Sequence, residues 1–232
     1  MPSNHSDNIH VYPLAFEARH MVVTLPEGRF ILDTGSPQTF GRPKAITFGS
    51  ERHALGAPIV TLDFDSLVAR LGLQVDGILG LDVLAEHDTL WDGPAGRLCI
   101  GASPVDSSAT AIPAQVCLGL MVNGTINGIP AQCVFDTGAH VGYVFSERFV
   151  AGAPRLGAIY DFNPIIGDID NSESWRVPVE WHGIRFEEQV GILTGAIAVA
   201  CNMAGIEAIV GCSWLPTRRV WFRPAEGKLF VL

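Results

Sequence analysis

Phe30-Ile31-Leu32-Asp33-Thr34-Gly35-Ser36 and Cys133-Val134-Phe135-Asp136-Thr137-Gly138-Ala139 decide how this chain is read, because in each an apolar run ends in Asp-Thr-Gly. A single triplet of this kind arises by chance in roughly one chain of this length in twenty. Two in matching contexts point to a repeated unit. Each Asp follows what reads as a buried strand. Upstream of each lies a further apolar stretch with turn signals: Met21 to Leu25 before Pro26-Glu27-Gly28, and Leu118 to Val122 before Asn123-Gly124 and Asn127-Gly128. The unit is a hairpin followed by Asp-Thr-Gly.

The echo continues downstream. Asp76-Gly77-Ile78-Leu79-Gly80-Leu81 is answered by Ile206-Glu207-Ala208-Ile209-Val210-Gly211-Cys212, in both cases two aliphatics, Gly and a short helical start. Leu90-Trp91 to Ile100 is answered by Val220-Trp221 to Val231, which aligns Trp91 with Trp221 as equivalent core residues. Three blocks in the same order make an internal duplication. The halves are residues 1–110 and 111–232, with the small, polar, Pro-containing stretch 101–110 as linker.

A chain of 232 residues with 48% hydrophobic content is too apolar to be disordered and long enough for two lobes with a real core. Its net charge of −9, with no Lys/Arg cluster, argues against nucleic acid or an anionic membrane as partner. The first twenty residues lack the basic and apolar regions of a secretory signal, and no run is long enough to span a membrane. The five cysteines are odd in number and lack C-x-x-C pairing, so they read as reduced, mostly buried thiols in a cytoplasmic protein. Strand-like alternation with frequent Gly and Pro predicts an all-β chain with tight turns. Helical period is confined to 64–71, ended by Gly72, with a possible short helix at 146–150.

Two Asp-Thr-Gly loops, each answered by an aliphatic-aliphatic-Gly segment, resemble the pattern of pepsin-like and retropepsin-like aspartic peptidases. The first loop, through Ser36, looks pepsin-like, the second, with Ala139, retropepsin-like, and the resemblance runs from Val11 to Leu232. It implies a bilobal aspartic-peptidase fold, double-ψ-barrel-like, with pseudo-twofold symmetry and a few short helices, in a compact single-chain form of bacterial type. It also implies that Thr34 and Thr137 point away from substrate and hydrogen-bond the opposite lobe's loop.

Peptide hydrolysis without a metal or a nucleophilic side chain needs a base to activate water and an acid to protonate the leaving amine. Two close carboxylates sharing one proton provide both. Asp33 and Asp136 are the catalytic candidates, supported by Thr34, Gly35, Ser36, Thr137, Gly138 and Ala139. The glycines are read as turn residues that aim backbone N–H groups at the carboxylates. A hydroxyl at Ser36, where the other loop has Ala139, predicts that the charge of the pair sits preferentially on Asp33 and that activity reaches milder pH than a pepsin's.

Asp33 to Gly80 spans 47 positions and Asp136 to Gly211 spans 75, so the second half has 28 more residues in which to build a flap. The candidate flap runs from Tyr160 to Trp175, with Tyr160, Phe162, Ile166 and Trp175 as possible substrate contacts; Ile46-Thr47-Phe48-Gly49 is a weaker rival. No cofactor is expected, and no metal: His53, His87, His140 and His182 lack the H-x-x-H and H-E-x-x-H spacings, and His140 reads as a solvated loop residue. The expected activity is that of an aspartic endopeptidase acting on a peptide or protein, with no dimer required to assemble the site. The alternative is a peptide-binding module that keeps the fold and has lost turnover.

Overall fold

The computed structural model describes residues 9–56, 64–101, 104–163, 167–171 and 173–232. The first half holds β1 (His10–Glu17), β2 (His20–Leu25), β3 (Gly28–Leu32), β4 (Phe40–Gly41), β5 (Ala45–Phe48), β6 (Glu51–Ala54), α1 (Phe64–Leu71), β7 (Gly77–Leu79), α2 (Leu81–Leu84), β8 (Thr89–Asp92) and β9 (Arg97–Ile100). The second holds β10 (Thr110–Val116), β11 (Leu120–Ile126), β12 (Ile129–Phe135), β13 (Gly142–Val144), β14 (Ile159–Asn163), β15 (Gly167–Asn171), β16 (Trp175–Trp181), β17 (Ile184–Ile192), α3 (Gly195–Met203), β18 (Ala208–Val210), β19 (Arg219–Arg223) and β20 (Lys228–Val231).

The duplicated blocks fold the same way. After hairpin β2–β3, β7 lies parallel to β3, pairing Phe30 with Gly77 and Leu32 with Leu79, and antiparallel to β4. After hairpin β11–β12, β18 lies parallel to β12, pairing Cys133 with Ala208 and Phe135 with Val210, and antiparallel to β13. Each Asp-Thr-Gly therefore leaves a strand held by a parallel neighbour. Asp33 N–H donates to Leu79 O and Asp136 N–H to Val210 O, both at 2.9 Å.

Strands β10, β20, β19, β8, β9 and β1 form a sheet shared by the halves, with the β19–β8 pair at its centre. In the second half β16 and β17 continue from β11 round to β13, and β12 pairs with β11, so six strands close into a barrel. Among the described residues the first half shows no such closure, and its hairpin β5–β6 is a separate two-stranded sheet. The main core, which includes Phe30, Trp91, Phe135, Trp181 and Phe222, runs through both halves.

Register corrects one sequence equivalence. Asp92 pairs with Arg97 and Arg223 with Lys228, so the residue matching Trp91 is Phe222 and the residue matching Trp221 is Leu90. Trp91 and Phe222 share the main core with ring centroids 5.8 Å apart, while Trp221 lies on the opposite face with Leu90 and Cys99. Side chains alternate faces along a strand, so a one-residue slip exchanges one core for the other.

Three further expectations change. Asn123-Gly124 is not a turn but part of β11; the turn is Asn127-Gly128, with φ of 52° and 75°. The apolar stretch 190–204 contains helix α3, which the β-rich reading did not anticipate. In the rival flap, Ile46 and Phe48 are fully buried, Phe48 stacking on Tyr12 in the main core, so that hairpin is anchored in the core. Helix α1 and Gly72, with φ 65°, stand where the sequence put them, and residues 147–150 form one 3-10 turn.

Glycine at 124 is required by close approach. A Cβ there would stand 2.3 Å from Trp181 Cδ1 and 2.4 Å from Glu180 O, and Trp181 is fully buried. Gly124→Ala is expected to destabilise the fold by about 1–3 kcal/mol, read from the denaturant midpoint; an unchanged midpoint would refute this packing.

Candidate active site

The ends of β3 and β12 meet through a reciprocal set of hydrogen bonds. Thr34 N–H donates to Thr137 Oγ1 and Thr137 N–H to Thr34 Oγ1, both at 3.0 Å. Thr34 Oγ1 donates to Phe135 O at 2.6 Å and Thr137 Oγ1 to Leu32 O at 2.7 Å. Both threonines are fully buried, and each hydroxyl donates once and accepts once.

This lock brings Asp33 and Asp136 within hydrogen-bonding reach of each other. Within its own loop each carboxylate is held alike. Asp33 Oδ1 accepts from Gly35 N–H and Ser36 N–H at 2.9 Å, and Asp136 Oδ1 from Gly138 N–H at 2.9 Å and Ala139 N–H at 3.2 Å. Each glycine also faces the opposite carboxyl: a Cβ at Gly35 would lie 2.3 Å from Asp136 Cγ, and one at Gly138 2.4 Å from Asp33 Cγ. Neither glycine has a positive φ, so the need for glycine is room for the second carboxyl rather than turn conformation.

Burial pushes both carboxyls above the ordinary range, and at Asp33 the negative charge of Asp136 adds to it. The pair therefore holds a shared proton to higher pH than a lone carboxylate does. The expected hydroxyl asymmetry is absent, because Ser36 Oγ donates to Gln38 O at 2.8 Å and not to Asp33. The asymmetry runs opposite to the one expected: Asp33 is raised further than Asp136, because the charge of Asp136 and its hydrogen bond both favour the proton on Asp33 and the charge on Asp136. Asp161, on β14, adds a negative charge that raises Asp136 as well. Its Oδ2 accepts from Tyr143 OH at 2.6 Å, and its Oδ1 stands 3.7 Å from His140 Nδ1.

Two histidines complete this rim. His20 Nδ1 is 2.9 Å from Gly138 O, and its ring meets His140 edge-on at 5.6 Å. Burial lowers the pKa of both, so the neutral imidazoles are favoured. His140 is only 18% exposed, not the solvated loop residue expected. His20, Tyr143 and Asp161 were not singled out from sequence. Only the position of His140 after the second loop hinted at this cluster.

A cavity of about 90 Å³ adjoins both aspartates. Its apolar wall includes Ile31, Ile78 and Ile209 from the strands, Leu67 and Leu71 from α1, and Ile169 from β15. Strands β14 and β15 form a hairpin in which Asp161 pairs with Ile169. Tyr160, on its other face, is 76% exposed and outside this cavity. Trp175 opens β16 and packs partly buried on the main core, also outside the cavity. Phe162 lies in β14 with its side chain outside the described residues, and Ile166 lies outside them altogether.

Behind the second loop the halves exchange roles. In the first half the Thr39 hydroxyl donates to Asp82 Oδ1 at 2.6 Å; in the second the Ser213 hydroxyl donates to Glu188 Oε2 at 2.6 Å. Gly142 stands where a Cβ would meet Glu188 Cγ at 3.1 Å. Glu188 is 1% exposed, and burial raises its pKa to about 7 against the Ser213 hydrogen bond.

No protein-family model matches the chain, and no curated protein matches it by sequence. Among solved structures it is similar to the aspartic proteinase from Irpex lacteus, with a TM-score of 0.56 and 14% identity over 96% of each chain. The chain has the all-β, bilobal aspartic-peptidase fold. No helix among the described residues is long and apolar enough to cross a membrane.

Between pH 4.5 and about 7 folded Glu188 keeps a proton that the unfolded chain releases, so this group makes stability fall as pH rises through that window. The contribution reaches on the order of 3 kcal/mol. Glu188→Gln is expected to flatten this part of the stability–pH curve relative to the parent, measured by denaturant unfolding at each pH. Parallel curves for the two proteins would refute a buried titrating Glu188.

Proposed function

We propose that this protein is an aspartic endopeptidase. The observation that carries the reading is the pair of raised carboxyls within hydrogen-bonding reach, fixed by the buried threonine lock. A water held between Asp33 and Asp136 attacks the scissile carbonyl carbon and gives one proton to the ionised carboxylate. The protonated partner passes its proton to the carbonyl oxygen as the tetrahedral intermediate forms. When the C–N bond breaks, a carboxyl protonates the leaving nitrogen and the hydroxyl proton returns to the dyad, which restores the singly protonated pair. Thr34, Gly35, Ser36, Thr137, Gly138 and Ala139 position the carboxyls and do not touch the reacting atoms.

The substrate is a peptide or protein with apolar residues flanking the bond, because the cavity wall beside the dyad is largely aliphatic. A volume of about 90 Å³ admits water but no peptide, so binding must part the β14–β15 hairpin from α1. That hairpin is the flap in this reading, with Asp161 and Ile169 facing the bond. Both carboxyls come from one chain, so no dimer is required. The free thiols fit a reducing, cytoplasmic setting. The aliphatic wall beside the dyad equally supports a second reading, a peptide-binding module without turnover.

Cleavage of a denatured protein or peptide library between pH 3 and 8 separates the two. The parent is expected to cut between apolar residues, and Asp33→Asn and Asp136→Asn to lose activity by several orders of magnitude. Cleavage that survives either change would remove the dyad from the mechanism; binding without cleavage by the parent would establish the second reading.

The charge of Asp161 raises Asp136, so Asp161→Asn is expected to move the alkaline limb of the pH–rate profile to lower pH. An unmoved limb would show that Asp161 does not act on the dyad.

A further inference from the structure

Glu51 and His53 are two residues apart on β6 and so share a face of that strand. Glu86 and His87 follow Ala85, the C-cap of α2. The fold brings one donor atom from each of these four side chains to within 4.8 Å of the others. No metal-ligand spacing is visible along the chain because these ligands come from separate elements, with His53 and His87 34 residues apart.

The two imidazoles approach Nε2 to Nε2 at 3.3 Å. Two nitrogens bound at 2.0–2.1 Å to one tetrahedral zinc ion stand roughly 3.3–3.4 Å apart, so this pair already has the spacing of two ligands on one centre. The rings are supported from below. His87 meets Phe48 edge-on at 5.2 Å, and Phe48 is fully buried and stacked on Tyr12. Glu86 Oε2 lies 3.6 Å from His53 Nδ1 on a side chain that is 59% exposed, and Glu51 is exposed too, so both carboxylates have room to swing onto an ion. Two carboxylates and two neutral imidazoles balance a divalent charge. The nitrogen pair selects zinc over calcium or magnesium, which take oxygen ligands.

We infer that Glu51, His53, Glu86 and His87 form a binding site for Zn²⁺ that staples the β5–β6 hairpin to α2. None of the four lines the cavity at the dyad, so the ion takes no part in hydrolysis. Its effect is mechanical. Helix α2 starts immediately after Gly80, and Leu81 N–H donates to Ser36 O at 2.9 Å, so the stapled helix abuts the first Asp-Thr-Gly loop.

The test is a titration of chelator-stripped full chain with Zn²⁺ by calorimetry and thermal melting, and with Co²⁺ by visible absorption. Expected are one ion per chain at micromolar affinity or tighter, a melting temperature higher by several degrees, and the intense bands of tetrahedral Co²⁺. His53→Gln should weaken Zn²⁺ binding by about 100-fold and Glu86→Gln by about tenfold, with metal-free melting unchanged in both. His182→Gln, at an exposed histidine elsewhere, should bind as the parent does. No saturable binding at submillimolar Zn²⁺, or equal binding by His53→Gln and the parent, would overturn the site. These readouts do not depend on peptidase activity.

Discussion

Everything near the aspartates depends on the buried hydrogen bonds between Thr34 and Thr137. A hydroxyl taken out of water must find both a donor and an acceptor or cost on the order of 1–3 kcal/mol, and here each threonine finds both on the opposite loop. Neither loop can therefore settle alone. Because the bonds are reciprocal, they fix the separation of the two strand ends, and with it the contact of each glycine with the opposing carboxyl. The lock opposes a real repulsion, since two carboxylates at this range cannot both ionise readily.

That repulsion is compounded on one side only. The loops offer the two carboxylates matched amides, so the chain's asymmetry does not originate in the loops. It comes from the second half, which places Asp161 in front of Asp136 and buries Glu188 behind it. The first half keeps its corresponding acid, Asp82, in a cradle that includes the Thr39 hydroxyl and the Val83 amide. The frame is thus symmetric, and the second half adds to it a buried Glu188 with its pKa raised to about 7 and the charge of Asp161 that raises Asp136.

What could be read without coordinates was whatever the chain states locally. The apolar runs before Asp33 and Asp136 read as buried strands and the Ile78-Leu79-Gly80 and Ile209-Val210-Gly211 segments as a repeated block, and each run pairs with its block, in a parallel direction that only the fold reveals. Face and register were not legible to the same degree. Matching one tryptophan to another put Trp221 against Trp91, although the hairpin pairings set Phe222 there. Asn123-Gly124 has the composition of a turn, yet the glycine is needed in mid-strand to admit Trp181. His20, Tyr143 and Asp161 converge from three distant elements, and no spacing rule reaches across such separations.

The cavity has a floor and a roof of different mechanical character. Its floor residues Ile31, Ile78 and Ile209 sit on strands bound into the continuous sheet, so displacing them breaks ladder bonds. The roof comes from α1 and from β14–β15, which among the described residues is a two-stranded sheet not joined to the main one. Helix α1 packs with Val22, Ile31 and Ile78 in one apolar cluster, and the hairpin packs with Val141, Tyr143 and Leu193 in another. The two roof pieces thus belong to separate clusters that meet over the dyad. Parting them leaves the ladder, the threonine lock and the carboxyl pair intact. For the peptidase proposed above, which would have to keep its carboxyls close and still admit an extended chain, this division confines the motion to elements that do not set the dyad's geometry.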